Sequence, residues 1–205
     1  MVGTRVNRVL PGEEALIVSS AKESGHQARL ALLTEALNSA YIGRITVLDS
    51  AGETRRVLLE KNFDFVIIDA PLRDESGENL AMHIADKNLT QVIIAVNSEH
   101  HGEVSAVCQK EGILVISKPL SREVLWISLS LAKSMNIKLK RVYAENEKLK
   151  QKIEDIRTID RAKYLLISYL GLTEQESHRF IEKQAMDLRS TKRAIADGII
   201  KTYGN

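Results

Sequence analysis

The residues best suited to chemistry follow short apolar runs in the first two thirds of the chain. Ser19 and Ser20 follow the run ALIV, Asp69 ends the run FDFVIID, and Asn97 and Lys118 follow two later runs. Ligands of parallel sheets gather at the carboxyl ends of the strands, so we expect these residues to form one polar cluster. Asp69 is the only carboxylate among them. Hard cations prefer several carboxylate oxygens, so we expect no bound metal.

Five apolar runs must form the strands that position this cluster. Each run alternates with a segment whose apolar residues have helical spacing. Continuous apolar strands that alternate with helices predict an α/β domain, with a five-stranded parallel sheet covered on both faces. The predicted strands are 15–19, 44–50, 63–69, 91–97 and 113–117, and the predicted helices between them are 28–37, 54–61, 78–86 and 104–111.

The polar cluster resembles the active site of a response-regulator receiver domain, which implies a CheY-like (flavodoxin-like) fold over residues 12–133. Asp69 matches the phosphoacceptor aspartate, and Gly77 lies at the family's spacing beyond it. Lys118 and Pro119 match the lysine and proline that follow strand five. The resemblance implies control through this domain.

Three residues depart from the receiver pattern. Ser19 and Ser20 stand where typical receivers have the two acids that hold Mg²⁺, and Asn97 stands where a small hydroxyl residue is usual. Neutral hydroxyls are poor ligands for this cation, so we expect no cofactor. The sequence favours a pseudo-receiver in which Asp69 is paired with Lys118 and is not phosphorylated. A phosphorylation switch at Asp69 remains the alternative.

The segment 155–203 predicts three short helices, because its apolar residues recur at helical spacing. Gly171 is expected to end the first helix. Thr173 and Glu176 have the spacing of a capping box at the start of the second. Ser190 is expected to cap the third.

The same segment resembles an ANTAR domain, the RNA-binding module of bacterial transcription antiterminators such as those of the ethanolamine-utilisation and amidase operons. The family usually has Lys-Gly where this chain has Lys163-Tyr164. The matching residues stand in the family's order and are Ile159, Ala162-Lys163, Leu165-Leu166, Gly171-Leu172-Thr173-Glu174, Glu176, Ala185-Met186-Asp187, Arg189 and Ala194-Ile195-Ala196.

The ANTAR resemblance implies a transcription antiterminator that holds paired hairpins of a nascent leader RNA and so prevents an overlapping terminator from forming. Arg161 and Lys163 are expected to meet phosphates or base edges, and the small Ala162 to let a base approach closely. Tyr164 would either stack on a base or be buried. The residues predicted to bind RNA are Asp160, Arg161, Ala162, Lys163, Arg189, Lys192 and Arg193.

A connector at residues 134–156 predicts a coiled coil. The chain has no Gly or Pro from residue 120 to residue 170, which predicts one long helix or two helices joined end to end. Asn146 at an a position would fix the register of a parallel homodimer. A helix packed back on its own domain is the alternative. The heptad seam consists of Met135, Leu139, Val142, Asn146, Leu149, Ile153 and Ile156.

Composition limits the remaining classes of protein. The chain has 205 residues, a net charge of +2 and 44% hydrophobic residues, which fits one sizeable and one smaller domain. No apolar run is long enough to span a bilayer, so we expect no membrane partner. Cys108 is the only cysteine, which fits a cytoplasmic location and excludes an intrachain disulfide. Cys108 and Trp126 are both expected to be buried.

The resemblances imply a regulator and not an enzyme. The controlling partner would be a sensor kinase or a regulator protein that sequesters the pseudo-receiver. The competing hypothesis is a dimeric protein-interaction module that does not bind RNA. Acidic residues are interspersed with the basic ones in 155–203, so charge alone does not choose between the two.

Overall fold

The computed structural model describes residues 13–21, 25–87 and 89–204. Residue 12, the predicted start of the first domain, lies outside them. The chain divides into two compact units, which we call the N-terminal unit, ending at Lys140, and the C-terminal unit, beginning at Arg141.

The N-terminal unit contains a five-stranded parallel sheet with strand order β2-β1-β3-β4-β5. This order confirms the predicted flavodoxin-like arrangement. The strands are β1 (Glu14–Ser19), β2 (Arg44–Leu48), β3 (Phe65–Asp69), β4 (Gln91–Asn97) and β5 (Leu114–Lys118), and the helices are α1 (His26–Ser39), α2 (Ala51–Glu60), α3 (Glu78–Lys87), α4 (His101–Cys108) and the start of α5 (Arg122–Leu170).

Helices cover both faces of this sheet because the strands are apolar on both sides. Every residue of the central strand β3 is buried. Side chains alternate between the two faces of a strand, so Val66 and Ile68 belong to one hydrophobic cluster and Phe65 and Ile67 to the other. The first cluster includes residues of α2, α3 and α4, and the second includes residues of α1 and α5. This double cover fixes the strand ends that carry the polar residues.

The sequence predicts that Cys108 and Trp126 are buried, and the structure agrees for one of these two residues. Cys108 is fully buried in the first cluster, as predicted. The prediction for Trp126 is wrong, since 63% of this residue is exposed. Leu125 and Leu129 take the positions of α5 that face the sheet. Successive residues on a helix lie about 100° apart, so Trp126 is turned away from the sheet.

Helix α5 continues without a break for 49 residues. This bears out the prediction made from the absence of Gly and Pro. Leu129 and Ala132, near its start, lie in the core of the N-terminal unit, and Leu166, near its end, lies in the core of the C-terminal unit. Gly171 follows the helix with a φ of 67°, the left-handed conformation that glycine adopts most readily.

The C-terminal unit adds α6 (Glu174–Asp187) and α7 (Lys192–Tyr203) to the end of α5. Thr173 and Glu176 form the predicted capping box. The predicted cap of α7 is wrong by one residue, because Thr191 accepts a hydrogen bond from the Ala194 amide. The Ser190 amide instead donates to the Ala185 carbonyl and so closes the end of α6.

No helix within residues 13–21, 25–87 and 89–204 is both long enough and apolar enough to cross a lipid bilayer.

Candidate functional site

Strand register brings the predicted polar residues together at the carboxyl ends of the strands. Ser19 pairs with Asp69 across β1 and β3, and Asn97 pairs with Lys118 across β4 and β5. The Lys118 ammonium lies 2.6 Å from Oδ1 of Asp69. The Ser19 hydroxyl donates a 2.7 Å hydrogen bond to Oδ2 of the same carboxylate.

A second cation on the Asp69 carboxylate comes from α1. The Nε of Arg29 lies 2.9 Å from Oδ2 and 3.2 Å from Oδ1. The Asp69 side chain is fully buried, whereas the side chains of Arg29 and Lys118 are 19% and 12% exposed. Sequence reasoning did not include Arg29. The available signal was one arginine in the otherwise apolar run ARLALL, placed at the start of the helix that follows β1.

These contacts determine the ionisation of Asp69. Burial disfavours the charged form and by itself would raise the pKa. Hydrogen bonds from Lys118, Ser19 and Arg29 outweigh burial, so the pKa of Asp69 is lowered from its ordinary value. Asp69 is therefore a buried carboxylate anion, neutralised by the protein's own side chains.

The cluster does not have the arrangement of a nucleophilic triad. Nδ1 of His26 lies 3.0 Å from the Ser19 hydroxyl oxygen. The serine hydroxyl has one proton, and it donates that proton to Asp69. Serine thus lies between the histidine and the acid, whereas activation of a serine nucleophile needs the histidine in the middle. This geometry holds Asp69 and does not activate Ser19.

The residues at the carboxyl ends of the strands do not fit the Mg²⁺ ion that a receiver fold implies. Ser19 and Ser20 are neutral and buried, so Asp69 is the only carboxylate of the predicted cluster. Both of its oxygens are already contacted by cationic groups of the protein. Within the described residues, no group of three or more His, Cys, Asp and Glu side chains is arranged to hold a metal ion.

The predicted RNA-binding residues all lie in the C-terminal unit, but one of them is not at the surface. Ala162 is fully buried and packs in the cluster that contains Leu166, Ile181 and Ala196. It cannot offer a surface to a base, so the expectation for Ala162 is wrong. Its small side chain serves close packing of the helices. Tyr164, two residues on, is 68% exposed.

The charged members of the set are exposed or half-buried, and three of the cations are paired with acids of the same unit. The Lys163 ammonium lies 2.7 Å from Asp160 and 2.8 Å from Glu174, and these contacts raise the pKa of Lys163. Arg161 and Arg189 are exposed. Two further pairs connect α7 to other helices of the unit: Lys192 with Glu182 at 2.5 Å, and Arg193 with Asp155 at 2.7 Å.

The apolar residues of the predicted heptad seam are exposed. Leu139 is 42% exposed and Leu149 is 58% exposed, so both apolar side chains are accessible to solvent. Asn146 is exposed among them. The other exposed members of the row are Met135, Val142, Ile153 and Ile156.

Comparison with known proteins gives matches for both units. Residues 147–200 match the ANTAR domain family. The transcriptional regulatory protein PdtaR of Mycobacterium tuberculosis is 26% identical over 141 residues, which is 69% of this chain and 69% of that protein.

Solved structures resemble the chain at the level of the fold. The signal receiver domain of an HD domain-containing protein from Pseudomonas fluorescens matches with a TM-score of 0.52 and 22% identity, over 70% of this chain and 98% of that chain. The signal receiver domain of a LuxO repressor protein from Vibrio parahaemolyticus matches with a TM-score of 0.51 and 20% identity, over 66% and 95%. These likenesses identify the receiver fold.

Proposed function

The chain has the domain organisation of an ANTAR response regulator, a receiver fold followed by an ANTAR domain, and we propose that it acts as a transcription antiterminator by binding hairpins in a nascent leader RNA. The match of residues 147–200 to the ANTAR family carries this proposal. The similarity to a transcriptional regulatory protein supports it. Occupied hairpins would prevent an overlapping terminator from forming, so transcription would continue.

The proposed RNA-binding surface consists largely of basic side chains that are positioned by ion pairs with acidic side chains. Lys163, Lys192 and Arg193 each form an ion pair with an acidic side chain of the same unit. A phosphate would replace the acid as the partner of each cation, and the exposed Arg161 and Arg189 would add further phosphate contacts. Asp160 holds Lys163 in position. Exposed Tyr164 is suited to stack on an unpaired base.

A parallel homodimer would present two such surfaces. The seam from Leu139 to Ile153 exposes a row of apolar side chains that a second copy would cover. Asn146 at an a position would bond to its own copy and fix the register. Once one hairpin is bound, the second contact becomes effectively intramolecular, which raises the overall affinity for paired hairpins.

The receiver fold would control this activity without chemistry of its own. The Asp69 cluster has neither a set of side chains suited to bind a metal ion nor an activated nucleophile, so we infer that the protein is a regulator and not an enzyme. Control would then come from a partner protein that binds the N-terminal unit. A sensor kinase acting at Asp69 is the alternative, and acetyl phosphate with Mg²⁺ followed by mass measurement separates the two.

The test is a gel-shift titration with a leader RNA that contains two adjacent hairpins. Lys163→Ala removes one phosphate contact, so we expect the affinity to fall by about tenfold at physiological salt. Lys148→Ala is the matched control, because Lys148 is an exposed lysine of α5 outside the predicted RNA surface. Equal affinity of the Lys163→Ala protein and the wild type would refute the assigned surface.

The competing function is a protein-interaction module, and the same titration separates it from RNA recognition. An RNA with altered loop bases should bind much more weakly, since specificity in RNA lies in splayed loop bases. Binding should also weaken steeply as salt is added. Equal weak binding to both RNAs would favour the protein-interaction module.

A further inference from the structure

We propose that Arg29 replaces the divalent cation of this receiver fold and holds Asp69 in one permanently neutralised state. The proposal concerns the N-terminal unit alone and does not depend on RNA binding. It explains how this receiver fold keeps a buried aspartate at the end of β3 with Ser19 and Ser20 at the positions where typical receivers have metal-binding acids. The inserted guanidinium supplies the charge that a metal ion would have supplied.

The geometry shows why no place remains for an external cation. Lys118 contacts Oδ1, Ser19 contacts Oδ2, and Nε of Arg29 lies within 3.2 Å of both oxygens. The carboxylate is fully buried beneath these groups. A divalent ion could reach Asp69 only after the Arg29 side chain had moved away.

Charge leads to the same result. One carboxylate faces one ammonium and one guanidinium, so these three side chains carry a net charge of +1. A divalent cation would raise that sum to +3 in a buried place where charges interact more strongly than in water. Neutral Ser19 and Ser20 offer no compensation. The net positive charge of these side chains therefore disfavours the binding of Mg²⁺, the ion that typical receiver domains bind at this position.

The start of α1 is shaped to deliver this arginine. Gly25 has a φ of 72°, a left-handed conformation that is costly for other residues. The Arg29 amide donates a 3.1 Å hydrogen bond to the Gly25 carbonyl, which begins the helix. A Cβ added at Gly25 would lie 3.4 Å from Nη1 of Arg29, an ordinary van der Waals contact, so the guanidinium lies directly against this turn. The turn and the side chain act together.

The consequence is a receiver that does not respond to metal or to phosphoryl donors. Attack on a phosphorus atom needs an open carboxylate oxygen and a cation to balance the developing charge. Both oxygens of Asp69 are engaged, and the balancing cation belongs to the protein. A change in this domain must therefore come from a partner that contacts its surface.

The first measurement is thermal unfolding of the wild-type chain with MgCl₂ and beryllofluoride, a phosphoryl mimic. Trp126 is the only tryptophan and lies in the N-terminal unit, so its fluorescence reports on that unit. We expect the midpoint to be unchanged at about 10 mM Mg²⁺, since a ligand that does not bind gives no stabilisation. A rise of about 3 °C or more would overturn the proposal.

The second measurement places an acid at the metal position with and without the arginine. Ser20→Asp alone should still fail to bind Mg²⁺ in isothermal titration, because Arg29 remains in place. The protein with both Ser20→Asp and Arg29→Gln should bind Mg²⁺ at least about tenfold more tightly than the Ser20→Asp protein. Ser20→Asp with Arg44→Gln is the matched control, because Arg44 is an exposed arginine paired with Glu14 in the same unit.

Two results of the titration would contradict the assignment. If Ser20→Asp alone binds Mg²⁺ as tightly as the Arg29→Gln combination, the arginine does not exclude the metal. If neither variant binds while tryptophan fluorescence shows both to be folded, the arginine does not occupy a metal position. The wild-type unfolding measurement decides the question even if both variants fail to fold.

Discussion

Replacement of Ala162 by leucine tests whether this residue belongs to the core or to the RNA surface. Ala162 is fully buried, and Ala196, a member of the same hydrophobic cluster, is also fully buried. Two small residues in one small core indicate that the helices approach closely there. Leucine would add three carbon atoms to a side chain that is already fully buried, so we expect the helices to separate or the side chain to adopt a strained rotamer.

The expected cost follows from the size of the core. Overpacking of a well-packed core costs about 1–3 kcal/mol, and the upper part of that range applies where the surroundings cannot yield. The cluster is small, with five buried members, Ala162, Leu166, Ile181, Ala196 and Ile199, so the strain has few buried neighbours to share it. We expect a loss of about 3 kcal/mol in the free energy of unfolding of the C-terminal unit. A small unit has little stability to lose.

The assay is denaturant unfolding followed by two signals. Far-UV circular dichroism reports on all the helices, whereas Trp126 fluorescence reports on the N-terminal unit alone. Ala162→Leu should move part of the dichroism transition to lower denaturant and leave the fluorescence transition unchanged. Arg161→Leu is the matched control, because it puts the same side chain at the neighbouring exposed position and should change stability by less than about 0.5 kcal/mol.

One result would refute the reasoning. If Ala162→Leu unfolds at the same denaturant concentration as the wild type and yet binds leader RNA more weakly, the residue faces the RNA and not the core. The expectation drawn from its small size would then be restored, and the packing of the three helices would need another explanation.

Three further predictions concern other parts of the chain. Asp69→Asn leaves Arg29 and Lys118 without their carboxylate, so the N-terminal unit should lose about 3 kcal/mol at pH 7. Because the pKa of Asp69 is lowered, its stabilisation is complete above the ordinary value of 3.8 and is lost as the pH falls through the folded value. Acid titration of tryptophan fluorescence should show that loss in the wild type and not in Asp69→Asn. Thr173→Ala removes the capping box of α6 and should cost about 1 kcal/mol by circular dichroism, with Thr173→Ser as the conservative control. Asn146→Leu should tighten self-association in sedimentation and add higher oligomers, and a wild type that stays monomeric at micromolar concentration would contradict the coiled coil.

The sheet and the capping box of α6 could be predicted because their signals are local. Five apolar runs with turn residues between them predict buried strands, whatever the rest of the chain does. Thr173 and Glu176 lie three residues apart, and both hydrogen bonds of their capping box depend on that spacing. The strand ends then follow from parallel pairing, which brings Ser19 beside Asp69 although fifty residues separate them.

The features that sequence reasoning missed depend on the rotation of a helix or on its approach to a neighbour. Arg29 reaches Asp69 because of the turn at Gly25, and no local pattern shows where that turn directs the helix. Ala162 stands three residues after Ile159 and four before Leu166, so the helical period places it on the core face, although its small size suits a surface as well. Trp126 adjoins a buried leucine and still faces solvent, because neighbouring positions on a helix point in different directions.

The burial of Cys108 gives the chain an internal reporter of transient opening. Its thiol is fully buried, and burial together with the nearby Glu78 carboxylate raises its pKa, so little reactive thiolate is present. Each molecule can take up one alkylating group and no more, since the chain has a single cysteine. The rate of alkylation in the native state therefore reports how often the first hydrophobic cluster, which contains Cys108, opens to solvent. A partner protein that binds the N-terminal unit would reveal itself by slowing or hastening that reaction, with no label attached to either protein beforehand.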